Sequence, residues 1–153
     1  MMNIVDIKIL DDRIGTKFPS LTYSTDGSSG LDLRACIKKK IISVCSNQVI
    51  LIPTGIAIFI KDPLITAFIL PRSGLGHYHG IVLGNTIGVI DSDYQGELML
   101  SVWNRSKKTF YISCGDRVAQ MIFVPIIKPD FNIVSDFKNT NRNIHGFGSS
   151  GIK

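Results

Sequence analysis

Short apolar, β-branched runs separated by glycine, proline, asparagine and aspartate set what this chain can fold into. "IVDIKIL", "LDLRACI", "QVILIP", "GIAIFI", "TAFILP", "GELMLSVW", "TFYIS", "RVAQMIFVP" and "FNIV" follow one another along 153 residues. None sustains the apolar period of an amphipathic helix, and each is short enough for one strand. Isoleucine dominates several of them, and its stiff, branched side chain packs well on a pleated surface. The pattern predicts an all-β chain, jelly-roll-like and closed as a sandwich or barrel. At this length one hydrophobic core suffices.

Composition then narrows the function classes. No apolar run approaches the roughly 18 residues of a membrane helix, so no membrane partner is expected. The opening "MMNIVDIKIL" carries Asp6 and Lys8 within its alternation, unlike a secretory signal, and a cytoplasmic location is expected. Cys36, Cys45 and Cys114 have neither CxxC spacing nor an even count, which argues against a disulfide framework and a structural zinc site. The net charge of +5 favours anionic partners. Only Lys38 to Lys40 cluster, beside turn signals that make them a solvated loop, and aromatics are not interleaved with basic residues along the chain. No nucleic-acid partner is therefore expected, while a small polyanion fits. His77 and His79 form an H-x-H pair without an evident third ligand, so no transition-metal site is expected there.

Two segments break the strand rhythm. "PRSGLGHYHGIVLGN", 71–85, is too glycine-rich for a strand, although a short helical turn fits within it. Its Arg72 supplies a planar fork for phosphate oxygens, Ser73 a hydroxyl, and Gly74 a backbone N–H that an anion can approach. The second is the end, 138–153, which reads as a mobile tail after a domain over 1–137. Phe147 between Gly146 and Gly148 is its oddity, since a solvated tail gains nothing from a phenyl ring. With Arg142 ahead and Ser149 behind, such a tail could close over a flat ring and a phosphate together.

"GVIDSDYQGEL", from Gly88, sends a strand into a turn with two carboxylates. Asp93 suits an ordinary turn aspartate. Asp91 follows Val89 and Ile90 directly and should lie at the strand's end near the core, where a desolvated carboxylate takes a proton more readily than in bulk water. Gln120, inside the apolar "GDRVAQMIF", carries an amide that must find partners and could hold a water.

Taken in order, "SGLDLRA" (29–35), 71–85, "GVIDSDYQG" (88–96), "GDRVAQMIF" (115–123) and "RNIHGFGSSG" (142–151) closely resemble the five blocks of the trimeric dUTPases, deoxyuridine triphosphate nucleotidohydrolases. The resemblance covers almost the whole chain. It implies a jelly-roll-like subunit and a homotrimer with shared active sites, in which the tail of one subunit closes a neighbour's pocket. It also implies hydrolysis of dUTP to dUMP and pyrophosphate, which keeps uracil out of DNA and supplies dUMP for dTTP synthesis. In that scheme Asp91 orients and deprotonates the water attacking the α-phosphorus, with Gln120 as a second holder of that water. Mg2+ is bound mainly by the triphosphate and met by Asp32 through a water. Arg72, Ser73 and Gly74 bind phosphates, and Arg142, Gly148 and Ser149 engage the γ end.

The same resemblance implies a tight hairpin from Asn85 to Met99 that reads uracil. The Asn85 amide and groups at Val89, Ile90 and Met99 would pair with the base; cytosine would leave buried groups unpaired, at roughly 1 to 3 kcal/mol each. Tyr94 would exclude a ribose hydroxyl and Phe147 would stack on the ring. This chain departs from the usual pattern at Asn143, Ile144 and His145, and at Ser29, where alanine is more usual. Two other readings compete. A dCTP deaminase of the same architecture needs a proton-shuttling glutamate at the base, but the evident one, Glu97, lies in the hairpin block. A nucleotide-binding regulatory module without turnover would be expected to have lost some catalytic positions, and every matched position is present.

Overall fold

The computed structural model of the protein describes residues 4–144 and Gly146. Among them run ten strands: β1 (Asp6–Ile9), β2 (Leu31–Arg34), β3 (Ile41–Val44), β4 (Val49–Phe59), β5 (Ile65–Pro71), β6 (Ile81–Leu83), β7 (Gly88–Ile90), β8 (Glu97–Asn104), β9 (Phe110–Ser113) and β10 (Arg117–Pro125). Two antiparallel sheets, ordered β1-β4-β8-β6 and β2-β10-β5-β7, carry most of the fold, and β3 pairs with β9. Alternation along β8 explains the layering: Leu98, Leu100, Val102 and Asn104 are buried, whereas Met99 faces outward. Inward residues of both sheets, among them Leu33, Ile52, Ile58, Ile69, Leu100 and Met121, form one continuous core. The architecture is the all-β, jelly-roll-like one that the apolar runs predict.

The differences from the predicted elements have local causes. "QVILIP" and "GIAIFI" are one strand, β4, kinked by a register shift between Pro53 and Ala57. "IISV" and "IVL", both short, form β3 and β6, paired with β9 and β8 respectively. "FNIV" forms no strand: Phe131 and Ile133 are 92% and 97% exposed, with no sheet edge or core among the described residues covering them. The glycine-rich loop contains a single π-helical turn, Leu75–His79. The tight hairpin expected over 85–99 is not a hairpin ladder, since β7 pairs with β5 in one sheet and β8 with β4 and β6 in the other. The hydrogen bonds of β7 are taken by Ile69, Phe68 and Ala67, so the 91–96 turn crosses between sheets. None of the described helices is long and apolar enough to cross a membrane.

Candidate active site

Strand register assembles a polar concavity at one end of the β2-β10-β5 sheet. Gln120 stands opposite Asp32, and Ala119 opposite Pro71, so Arg72, the next residue of the chain, emerges beside both. Ser24, Ser28, Ser29, Gly30, Asp32, Arg72, Ser73, Gly74, Arg117 and Gln120 line a space of about 550 Å³. The Arg72 Nε lies 2.9 Å from Asp32 Oδ1, and an Arg117 terminal nitrogen donates to Oδ2 at 3.2 Å. One carboxylate against two guanidiniums leaves a net positive charge. The pairs are open enough to solvent that a multiply charged anion can exchange in, and charge-assisted forks suit phosphate oxygens.

Gln120 Nε2 donates to the Pro71 carbonyl at 3.2 Å. A Cβ on Gly30 would fall 2.8 Å from Gln120 Oε1, so only glycine leaves that amide its place. The expectations for Asp32, Arg72, Ser73, Gly74 and Gln120 thus meet in one concavity. Arg117 was missed. Its signal was available, since it lies in the same block as Gln120 and stands three residues before it.

Asp91 is elsewhere in the chain. It follows the end of β7, as expected, but it is exposed rather than near the core. Ile90 pairs with Ala67, and Thr66 Oγ1 donates to the Ile90 carbonyl at 2.8 Å, which sets Asp91 at the Ile65 end of β5. Arg72 leaves the other end, so the two are separated by most of that strand's length, roughly 20 Å at about 3.3 Å per residue. Asp91 instead shares a concavity with Lys61, Thr66, Ser92, Asp93 and Lys128.

The residues expected to read a base lie on and beside β7 and β8, which belong to different sheets. Gly84 donates its N–H to Ser101 at 2.8 Å, which runs the chain beside β8 toward Asn85. Gly88 packs so that a Cβ there would sit 3.6 Å from the Asn85 amide nitrogen. Val89 and Met99 are exposed and Ile90 is half-buried. Tyr94 folds back over Gly96, with its hydroxyl donating to the Glu97 carbonyl at 3.0 Å. Glu97 itself accepts the Gly55 N–H at 2.8 Å and so braces the kink in β4. Arg142 lies on the exposed C-terminal arm, whereas Phe147, Gly148 and Ser149 lie outside the described residues. Among the described residues no cluster of three or more His, Cys, Asp or Glu could cage a metal.

Comparison with known proteins fits this geometry. The dUTPase family model matches residues 16–151. The deoxyuridine 5'-triphosphate nucleotidohydrolase of Buchnera aphidicola subsp. Baizongia pistaciae is 60% identical over 153 residues, covering 99% of this chain and 100% of that protein. The protein of the same name from Escherichia coli (strain ATCC 8739) is 57% identical over 151 residues, covering 99% of each. Among solved structures, the Staphylococcus bacteriophage 80alpha dUTPase with dUPNHPP superposes with a TM-score of 0.84 at 21% identity, covering 99% of this chain and 100% of that one. A variant dUTPase from phage phi11 of S. aureus, described with a structural Mg(II) ion, gives 0.76 at 20% identity, covering 90% and 100%. These last two speak for the fold alone. With a family match over most of its length and relatives near 60% identity end to end, this chain belongs to the dUTPase family.

Proposed function

We propose that this protein hydrolyses dUTP to dUMP and pyrophosphate at sites shared between the subunits of a homotrimer. The observation that carries the reading is the roughly 20 Å between the phosphate-ready Asp32–Arg72–Arg117 concavity and Asp91, too far for one protomer to bring water and phosphorus together. A neighbour must supply the second half. Outward-facing Val49, Leu51 and Met99, 54%, 67% and 41% exposed, give an apolar surface for that contact. The arm carrying Ile127, Phe131, Ile133 and Phe137 gives another.

Positioning and charge neutralisation supply most of phosphoryl-transfer catalysis. Arg72, with Ser73, Gly74 and Arg117, binds the triphosphate. Asp91 of a second subunit orients and deprotonates the water that attacks the α-phosphorus in line, and Gln120 steadies it. Asn85, Val89, Ile90 and Met99 read uracil, Tyr94 lies under the sugar, and the tail with Arg142, Phe147, Gly148 and Ser149 closes the pocket. Asp32 is the one carboxylate among the described residues lining the phosphate concavity, and it would meet magnesium carried by the triphosphate through a water. Magnesium there supplies neutralisation of phosphate charge. Glu97, the residue a deaminase would need at the base, already braces Gly55, which weighs against that alternative.

Pyrophosphate release from dUTP, with dCTP, dTTP and UTP as controls, tests the activity. Mixed assembly tests the sharing. Asp91→Asn and Arg72→Ala should each be inactive alone; refolded together at equal amounts they should regain about a quarter of the parent rate, the random fraction of sites with both groups intact. No recovery in a mixture shown to contain mixed trimers places both groups in one subunit and ends the shared-site reading.

A further inference from the structure

Just beyond the Arg72–Gly74 stretch along the chain, the π-helical turn helps to make a second cationic depression. It is about 690 Å³ in volume and is lined by Gly76, His77, Tyr78, His79 and Gly80 from the turn and by Arg105 to Phe110 from the loop between β8 and β9. Among the described residues no carboxylate lines it. Among the described residues Arg105, Lys107 and Lys108 form no ion pair, in contrast to Arg13, Lys61, Arg72 and Arg117. All three are exposed and held within one short loop, where their mutual repulsion stays uncompensated.

That loop is held rigidly. Asn104, 0% exposed, donates from Nδ2 to the Val44 and Lys108 carbonyls, both at 2.8 Å, and its Oδ1 accepts from the Ser106 N–H at 3.0 Å. The Ser46 hydroxyl donates to the Ser106 carbonyl at 2.7 Å. Gly80, at φ +67°, lets the turn lie so close that a Cβ would come 3.1 Å from Ser106 Cβ, and Arg105 donates its N–H to the Gly80 carbonyl at 3.0 Å. The cations are thus presented on a fixed scaffold beside aromatic groups. His79 packs on Phe110 with ring centres 5.3 Å apart, and His77 stands edge-on to Tyr78, which is itself 79% exposed. Along the chain the 77–79 and 105–110 stretches are separate; the fold makes of them the mixture of basic and aromatic side chains that single strands use.

We propose that this depression binds the phosphodiester backbone of single-stranded nucleic acid, with Arg105, Lys107 and Lys108 on phosphates and Tyr78 as a stacking face. Three phosphate contacts give a salt slope of about −2, so affinity should fall roughly 20-fold from about 50 to about 200 mM salt. Fluorescence anisotropy of the full-length protein with a labelled oligothymidylate reads this directly. The triple variant Arg105→Gln, Lys107→Gln, Lys108→Gln should lose at least about tenfold in affinity and flatten the slope while keeping the parent's melting temperature and dUTP turnover. Tyr78→Ala should weaken binding with the slope unchanged, because stacking releases no counterions. Absence of saturable binding, equal binding by the triple variant, or capture by phosphatidylglycerol vesicles in preference to the oligonucleotide overturns the proposal.

Discussion

Asp11 and Asp32 are both gripped by arginine, and the two pairs serve different ends. Arg13 reaches Asp11 with two nitrogens, at 2.8 and 2.7 Å, and donates to the Ile37 carbonyl at 3.0 Å, so the segment after β1 is riveted to the core. The Arg13 side chain, helped by its backbone N–H, holds the Asp11 carboxyl well below the usual carboxylate range. Burial, with a hydrogen bond to Asp11, pushes the neighbouring Cys36 thiol up to about 11. Because the carboxyl is depressed in the folded state, its stabilisation is complete above the unfolded value near 4 and fades as pH falls below it. Asp11→Asn should therefore lower the urea midpoint at pH 7, and the gap to the parent should narrow below about pH 4. A gap that persists undiminished at low pH would assign it to lost packing. Asp32 was singled out only through the family resemblance, and its clamp by Arg117 was not legible at all, because that pairing comes from the register of β2 on β10.

The elements show why local sequence misleads at kinks. Pro53 and Gly55 read as a break between two strands, yet β4 continues through them for eleven residues. Gly55 makes this possible: its φ is +71°, and a Cβ would lie 2.7 Å from Cys36 Sγ and 3.0 Å from Asp11 Cβ. Thr54 adds a hydroxyl bond to the Leu98 carbonyl at 2.7 Å, which satisfies the ladder at the bulge. Gly55→Ala should cost at least about 2 kcal/mol from left-handed backbone and crowding combined. Differential scanning calorimetry should show a fall of roughly 4 to 8 °C. Gly27→Ala, with open space around it, serves as the near-silent comparison. Equal melting of the two variants would mean β4 can re-form without its kink. The loss of the 85–99 hairpin has the same origin as the joining of β4. Both hinge on which strand accepts a backbone's hydrogen bonds, and the apolar pattern of one run carries no information about its partner.

For the molecule as a whole, the last strand ends at Pro125, and every described residue from Ile127 onward is exposed. Large apolar side chains on such an arm have nothing to bury in their own subunit, which agrees with a role on another. Deleting residues 139–153 should reduce turnover by orders of magnitude while sedimentation still reports a trimer; an undiminished rate would show that the tail does not act as the lid. The amino-acid order alone determined the β architecture and the five chemical blocks, because strand propensity, turn chemistry and functional groups are properties of short stretches; the reaction came from the resemblance of those blocks, in their order, to the dUTPases. Tertiary structure alone decided which blocks meet. Asp32, Arg72, Arg117 and Gln120 converge because three strands pair in one register, and Asp91 is held apart because β7, paired with residues 67–69 of β5, runs away from Arg72 toward the Ile65 end. Register is fixed by burying one face of every strand at once, a condition on the whole chain that no single segment contains.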